Sequence, residues 1–453
     1  MHGGLVKRSV PPVALMPSLA NNGPMSEYVP SGSALPLNPN IKCLEPSATV
    51  AINDRSNALR AQGADIFKLG LGQSPFPVPE VVAQALRDNA HEKDYLPASG
   101  LWALREAVAD HHRRVDDVDL SPEGVLIGPG SKELMYLLQL CYRAELILPA
   151  PCWVSYAPQA AIVGRDVKIM STRYEDQWRL TPELLEATCR AELNRPRLLI
   201  LTYPNNPTGG TYTDDQLKDL ANVARRHELV LLSDEIYGSV HHQGAHRSIA
   251  RHYPEGTIVS GGLSKWCGAG GWRLGSFLFP ESLYWLRDAM ATVATETFTS
   301  VSAPIQHAAI PAFQGGAEID AYLDASRRLL RALGHWCEGQ LRDTGARIAP
   351  TEGGFYLFPD FTPLKSRIAQ QRSIRTSDDF CRRLLDDTGV AILPGTCFGR
   401  PASEWTVRLA YVNFDGKAAI EAVQGVDTVT DDLLRALCPR TMTAIERLCE
   451  WVA

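Results

Sequence analysis

Three short apolar runs, at about residues 198–202, 229–233 and 257–260, each end in a polar or glycine-rich turn, and helical patterns separate them. Strands spaced in this way pair in parallel, because a parallel crossover needs a dozen or more residues and a helix supplies them compactly. The clearest helix spans residues 213–228: Thr213 is a good N-cap, Asp214 and Asp215 suit its positive end, and Arg225, Arg226 and His227 its negative end. Residues 320–345 read as a second, long helix. The expected fold class is therefore α/β, with a mainly parallel sheet between layers of helices.

Open sheets of this kind bind ligands beyond the carboxyl ends of their strands. Chemistry-bearing residues sit at those ends here. The stretch 258–276, IVSGGLSKWCGAGGWRLGS, places Lys265 after a strand and Arg273 eight residues later. The stretch 198–210, LLILTYPNNPTGG, carries Asn206 in its turn, and 229–238, LVLLSDEIYG, ends in Asp234 and Tyr237. Residues 125–140, VLIGPGSKELMYLLQL, read as strand, glycine turn and helix; Gly130, Ser131 and Lys132 would offer free N–H groups and a helix dipole to an anion. Taken singly, each has a bland explanation: lysines and arginines are usually solvated, and Asn206 and Tyr237 suit a turn and a core.

Taken together, and with VRLAY at 407–411, the wording and order resemble the class I aminotransferases, pyridoxal-phosphate enzymes of fold type I typified by aspartate aminotransferase. The resemblance runs from about Leu44 to about residue 420. It implies a large cofactor-binding domain at 76–324 with a seven-stranded sheet, and a smaller α+β domain built from 43–75 and 325–453. It also implies an aminotransferase that moves an amino group from an amino acid to a 2-oxo acid, with pyridoxal 5'-phosphate as cofactor. Lys265 would hold the aldehyde as a Schiff base and then carry the proton, Asp234 would pair with the pyridinium N–H, and Asn206 and Tyr237 would bond the ring's phenolic oxygen. Arg273 would bind phosphate together with Gly130, Ser131 and Lys132, while Trp153 would stack on the ring. Arg408 would clamp the substrate carboxylate, with Gly72 and Asn206 beside the substrate. Tyr95 would reach the phosphate of a neighbouring subunit, which implies a homodimer with shared sites. The cofactor motifs are common to lyases on the same scaffold, so a lyase stays open, as does a non-catalytic ligand sensor.

Other classes find no support. The net charge of −6 comes without a basic run, so neither nucleic acid nor a membrane surface is indicated as a partner. No apolar run reaches the ~18 residues of a membrane span, which suits a cytoplasmic protein. The ten cysteines are scattered without CxxC pairs, so no metal site or disulfide framework is expected. Cys267 lies two residues beyond Lys265 but has no base nearby in sequence, and reads as an ordinary buried thiol. Residues 1–42, rich in Pro, Ser, Asn and Gly, read as a flexible arm. One departure concerns the substrate: Glu45 stands where similar members carry a lysine that helps bind a distal acid. A carboxylate there favours neutral, aromatic or basic side chains over aspartate.

Overall fold

The computed structural model describes residues 38–42, 44, 48–191 and 195–453. Residues 1–37 of the expected arm, and Glu45, lie outside the described residues. The strands, in chain order, are β1 (Phe67–Lys68), β2 (Val125–Gly128), β3 (Glu145–Ala150), β4 (Val167–Ser171), β5 (Arg197–Thr202), β6 (Val230–Asp234), β7 (Thr257–Gly262), β8 (Gly275–Leu278), β9 (Tyr356–Leu357), β10 (Val390–Ala391), β11 (Leu393–Pro394) and β12 (Val407–Ala410). Seven of them form one sheet in the order β2-β8-β7-β6-β5-β3-β4. Only β8 runs antiparallel to its neighbours.

Every residue of β5 and β6 is buried, as expected of strands covered on both faces. Alternation sorts their side chains: Leu199, Leu201 and Leu231 enter one helix-covered layer, and Ile200 and Leu232 the other. The helix Asp214–Arg226 closes the first layer with Leu217, Leu220, Ala221 and Ala224. Its start is a capping box, in which the Thr213 hydroxyl accepts from Gln216 N at 3.3 Å and the Gln216 side chain accepts from Thr213 N at 2.9 Å. Such a cap is worth about 1 kcal/mol, whereas each leucine leaving water contributes about 2 kcal/mol. Packing therefore sets where this helix lies, and the cap sets where it begins.

Segments from both ends of the described chain meet in two small sheets. β1 pairs in parallel with β10, and β12 lies between β11 and β9 in an antiparallel set. The apolar run at 66–71 reads as a strand, but only Phe67–Lys68 of it pairs as one. After Leu69, whose N bonds Ala391 O, the chain turns toward β12: Leu69 O accepts from Ala410 N at 2.8 Å and Gly70 O accepts from the Arg408 guanidinium. The long helix is Ala317–Asp343, begun after Gly315 and Gly316 and ended before Gly345, all three at positive φ.

Candidate active site

The carboxyl ends of β5, β6 and β7 and the start of the helix Ser131–Cys141 surround a cavity of about 440 Å³. Gly72, Ser131, Lys132, Trp153, Asn206, Asp234, Tyr237, Lys265 and Arg273, all singled out above, line it together. A larger surface cleft of about 660 Å³ beside Asp65, Asp387 and Arg447 includes none of them.

Lys265 follows β7 and is half-buried; its Nζ donates to Gly72 O at 2.8 Å and lies 5.6 Å from the Tyr237 ring centre. Burial, reinforced by the nearby Arg408 guanidinium and opposed by Asp234, pulls the Lys265 ammonium down to about 8. Asp234 ends β6 and is 3% exposed. Its Oδ2 accepts from the Tyr156 hydroxyl at 2.5 Å, and that hydroxyl also shares a 2.5 Å bond with Thr202 Oγ1. Its Oδ1 is buried and has no hydrogen-bond partner. Burial pushes the Asp234 carboxyl up to about 6, against the pull of the Tyr156 hydrogen bond. An aspartate with one oxygen anchored and the other bare is a socket for an N–H donor.

An anion site faces this pair. Gly130 is the N-cap of the helix Ser131–Cys141 and has φ +89°; a Cβ there would lie 2.2 Å from Arg273 Nη2, so only glycine lets the guanidinium settle on the helix start. Arg273 Nη1 donates to Gly270 O at 2.7 Å. Lys132 Nζ lies 5.5 Å from the Trp153 ring centre, and burial together with the Arg273 charge lowers its affinity for a proton. Two cations and a helix N-terminus thus converge where the sequence predicted an anion to bind.

Arg408, on β12, is 1% exposed and reaches the same region from the small sheets. Its Nη1 donates to Asn206 Oδ1 at 3.2 Å and its Nη2 to Gly70 O at 2.5 Å, while the rings of Tyr356 and Phe398 lie 4.8 Å and 5.0 Å from its Cζ. Its Nε is buried without a partner. Tyr95 is the predicted residue that stands apart: it is 90% exposed and faces outward. Cys267 is fully buried, and burial pushes its thiol up to about 12, so it is no nucleophile.

Sequence reasoning missed Tyr156, Thr202 and Tyr356. Tyr356 shares a 2.8 Å hydrogen bond with the Tyr237 hydroxyl, and in the sequence it reads as one more ring in an apolar run. Tyr156 lies three residues after Trp153, at the start of the helix Tyr156–Ile162; that spacing is the one local hint that both serve the same cavity.

A family model described as aminotransferase class I and II matches residues 64–422. The aspartate aminotransferase of Bacillus strain YM-2 is 31% identical over 381 residues, covering 82% of this chain and 93% of that protein. The aspartate/prephenate aminotransferase of Thermus thermophilus is 32% identical, covering 82% of this chain and 93% of its own. A solved structure of Thermus thermophilus aspartate aminotransferase with maleate superposes with a TM-score of 0.78 at 29% identity, covering 92% of this chain and all of that one.

Proposed function

The chain belongs to the class I and II aminotransferases, a pyridoxal-phosphate-dependent family, and from that premise we propose that its 440 Å³ cavity holds the cofactor and binds the substrates of amino transfer. One observation carries this reading: a half-buried amine, a buried carboxylate with a bare Oδ1 and a glycine-made anion cradle face one cavity. Those three features match the aldehyde, the ring nitrogen and the phosphate of pyridoxal 5'-phosphate. When bound, this cofactor supplies an electron sink for the pair left at the substrate's α-carbon.

The chain's own groups do the rest. Lys265 Nζ holds the cofactor in the resting enzyme and, once free, removes and returns the α-proton; burial keeps a share of it neutral near pH 8, as a base requires. Asp234 Oδ1 accepts from the ring N–H, while Tyr156 keeps Oδ2 occupied and the carboxylate ionised. Arg273, Lys132 and the N–H groups after Gly130 bind phosphate, and Trp153 covers a ring face. Asn206 and Tyr237 donate to the phenolic oxygen. The planar fork of Arg408 takes the substrate carboxylate, with Gly72 beside it, in both halves of the exchange. Outward-facing Tyr95 serves a neighbouring subunit in a cytoplasmic homodimer; light scattering that finds an active monomer would exclude this. Aspartate is the donor in the names of several relatives, but Glu45 favours a neutral, aromatic or basic side chain in this chain.

The purified protein is expected to show visible absorbance from the bound cofactor, and Lys265→Ala to lose both that band and turnover. Near-normal amino exchange by Lys265→Ala, without added amines, would overturn the assignment.

A further inference from the structure

Next to Asp234 stands a second buried carboxylate. Glu235 is 7% exposed, and its backbone N donates to Ser260 O of β7. Its Oε1 accepts from Ser233 Oγ at 2.7 Å, Ser248 Oγ at 2.6 Å and the Tyr203 hydroxyl at 3.2 Å. Its Oε2 lies 2.8 Å from Nε2 of His246, which is 6% exposed. Any side chain at Gly238 would strike that imidazole, since a Cβ there falls 2.8 Å from His246 Cδ2. Behind it, Asp116 bonds His112 Nδ1 at 2.7 Å, and ligand atoms of Asp116, Glu235 and His246 all lie within 4.8 Å of one another. Such a trio invites a metal ion, but both Glu235 oxygens already receive donors. The arrangement therefore suits a carboxylate neutralised by a protonated imidazole better than one offering lone pairs to a cation.

Two adjacent buried carboxylates at one strand end repel, and without compensation one of them takes up a proton. Asp234 is the one whose charge the proposed cofactor needs. We propose that Glu235 and His246 form a buried charged pair that positions Asp234 and cancels the field of its neighbour, so that Asp234 stays ionised toward the cavity. The Tyr203 hydroxyl, which donates to Glu235, also accepts from Ile249 N at 2.7 Å. Charged and titratable groups facing His246 are Glu235, Asp116, Arg247, His241 and Tyr203; those facing Asp234 are Glu235, Lys265 and Tyr156. Burial and Glu235 act oppositely on His246, and the net direction is upward, toward the imidazolium. The effect on Asp234 rests on the cofactor reading above, whereas the pairing does not.

Two measurements separate these. In cofactor-free protein at pH 7.5, unfolding in urea is compared for wild type, Glu235→Gln, His246→Asn and the double variant. His246→Asn leaves an unpaired buried carboxylate and Glu235→Gln an imidazole stripped of its counter-charge, so the double variant is expected to be more stable than the sum of the singles predicts, by at least about tenfold in the unfolding constant. Additive effects would overturn the pair. If His246→Asn alone fails to fold, a folded double variant still shows the coupling; failure of both overturns it, since two neutral side chains leave no charge stranded.

With cofactor bound, the readout is the pH at which the visible absorbance changes. His246→Asn leaves a bare negative charge near the site, which stabilises protonated forms and moves that pH up, by about half a unit or more. Glu235→Gln does not move it up, and the double variant returns close to wild type. A merely structural role would shift both single variants in one direction, with the double variant shifted further. A wild type with no visible band would sink the Lys265 reading instead, and the cofactor-free cycle would still judge the pair.

Discussion

Tyr156→Phe removes one hydroxyl and keeps the ring, which packs edge-on to Trp153 at 5.2 Å between centres and 81° between planes. The lost group is the donor that holds Asp234 Oδ2 at 2.5 Å. A hydrogen bond to a charged acceptor is worth about 1.5–3 kcal/mol, and one pH unit about 1.4 kcal/mol, so the Asp234 carboxyl should climb by roughly one to two units. From its present value of about 6 it would reach roughly 7–8. The sign of the stability effect follows. A carboxyl raised in the native state is protonated there while the unfolded chain, with an ordinary value of 3.8, has already lost its proton. Stability from this group is therefore greatest at low pH and falls as pH rises through the native value. In wild-type cofactor-free protein the fall, over about two units, costs about 3 kcal/mol and is complete a little above pH 6. In Tyr156→Phe it continues for roughly 1.5–3 kcal/mol more, to about pH 8. Urea unfolding of both proteins at pH 5 and at pH 8.5 measures it: the gap between them should widen at the higher pH. Placing Asp234→Asn beneath both should remove the widening. A gap that is the same at both pH values would refute the reasoning.

Gly130→Ala should weaken phosphate-dependent cofactor retention by at least about tenfold while leaving folding intact, because its Cβ would displace Arg273 from the helix start and φ +89° is strained for alanine; equilibrium dialysis against pyridoxal phosphate and pyridoxal gives the comparison, and equal loss for both compounds would count against an effect through phosphate. Glu45→Lys should raise kcat/KM for aspartate relative to phenylalanine or alanine by about tenfold or more, since a like charge becomes an opposite one; a wild type already selective for aspartate and indifferent to the change would end that idea.

What could be read ahead of the structure was whatever the chain encodes locally. The helix Asp214–Arg226 announces itself because its cap, its charges and its apolar stripe all lie within one short stretch. Lys265 and Asp234 could be placed because each sits where an apolar run stops, and strand ends are where such sheets bind. Tyr156 was unreadable for the opposite reason: its partner Asp234 is 78 residues away, and a tyrosine after a tryptophan looks like core. The brevity of β1 likewise depends on Arg408, 338 residues beyond Gly70, taking the carbonyl that a longer ladder would use. Apolar pattern alone has no means of registering that competition. Glu235 shows a third case, since beside Asp234 it reads as a second acid at the end of a strand, and only its donors from Tyr203, His246 and Ser248 reveal a neutralised one.

Arg408 also bears on how a growing chain acquires its activity. Synthesis reaches it well after the last strand of the seven-stranded sheet, β8, has been made, and β1 waits until residue 390 for the strand it pairs with. Strands β2 to β8, with Lys265, Asp234 and Arg273, are all made before then and can collapse into their sheet on their own schedule. A ribosome-bound or truncated chain that has passed residue 343, and so has the helices that cover the sheet, but has not reached residue 408 would therefore carry the groups proposed to hold the cofactor and lack the arginine proposed to grip a substrate. Incomplete translation products of this protein should be able to take cofactor out of solution and yet consume no amino acid.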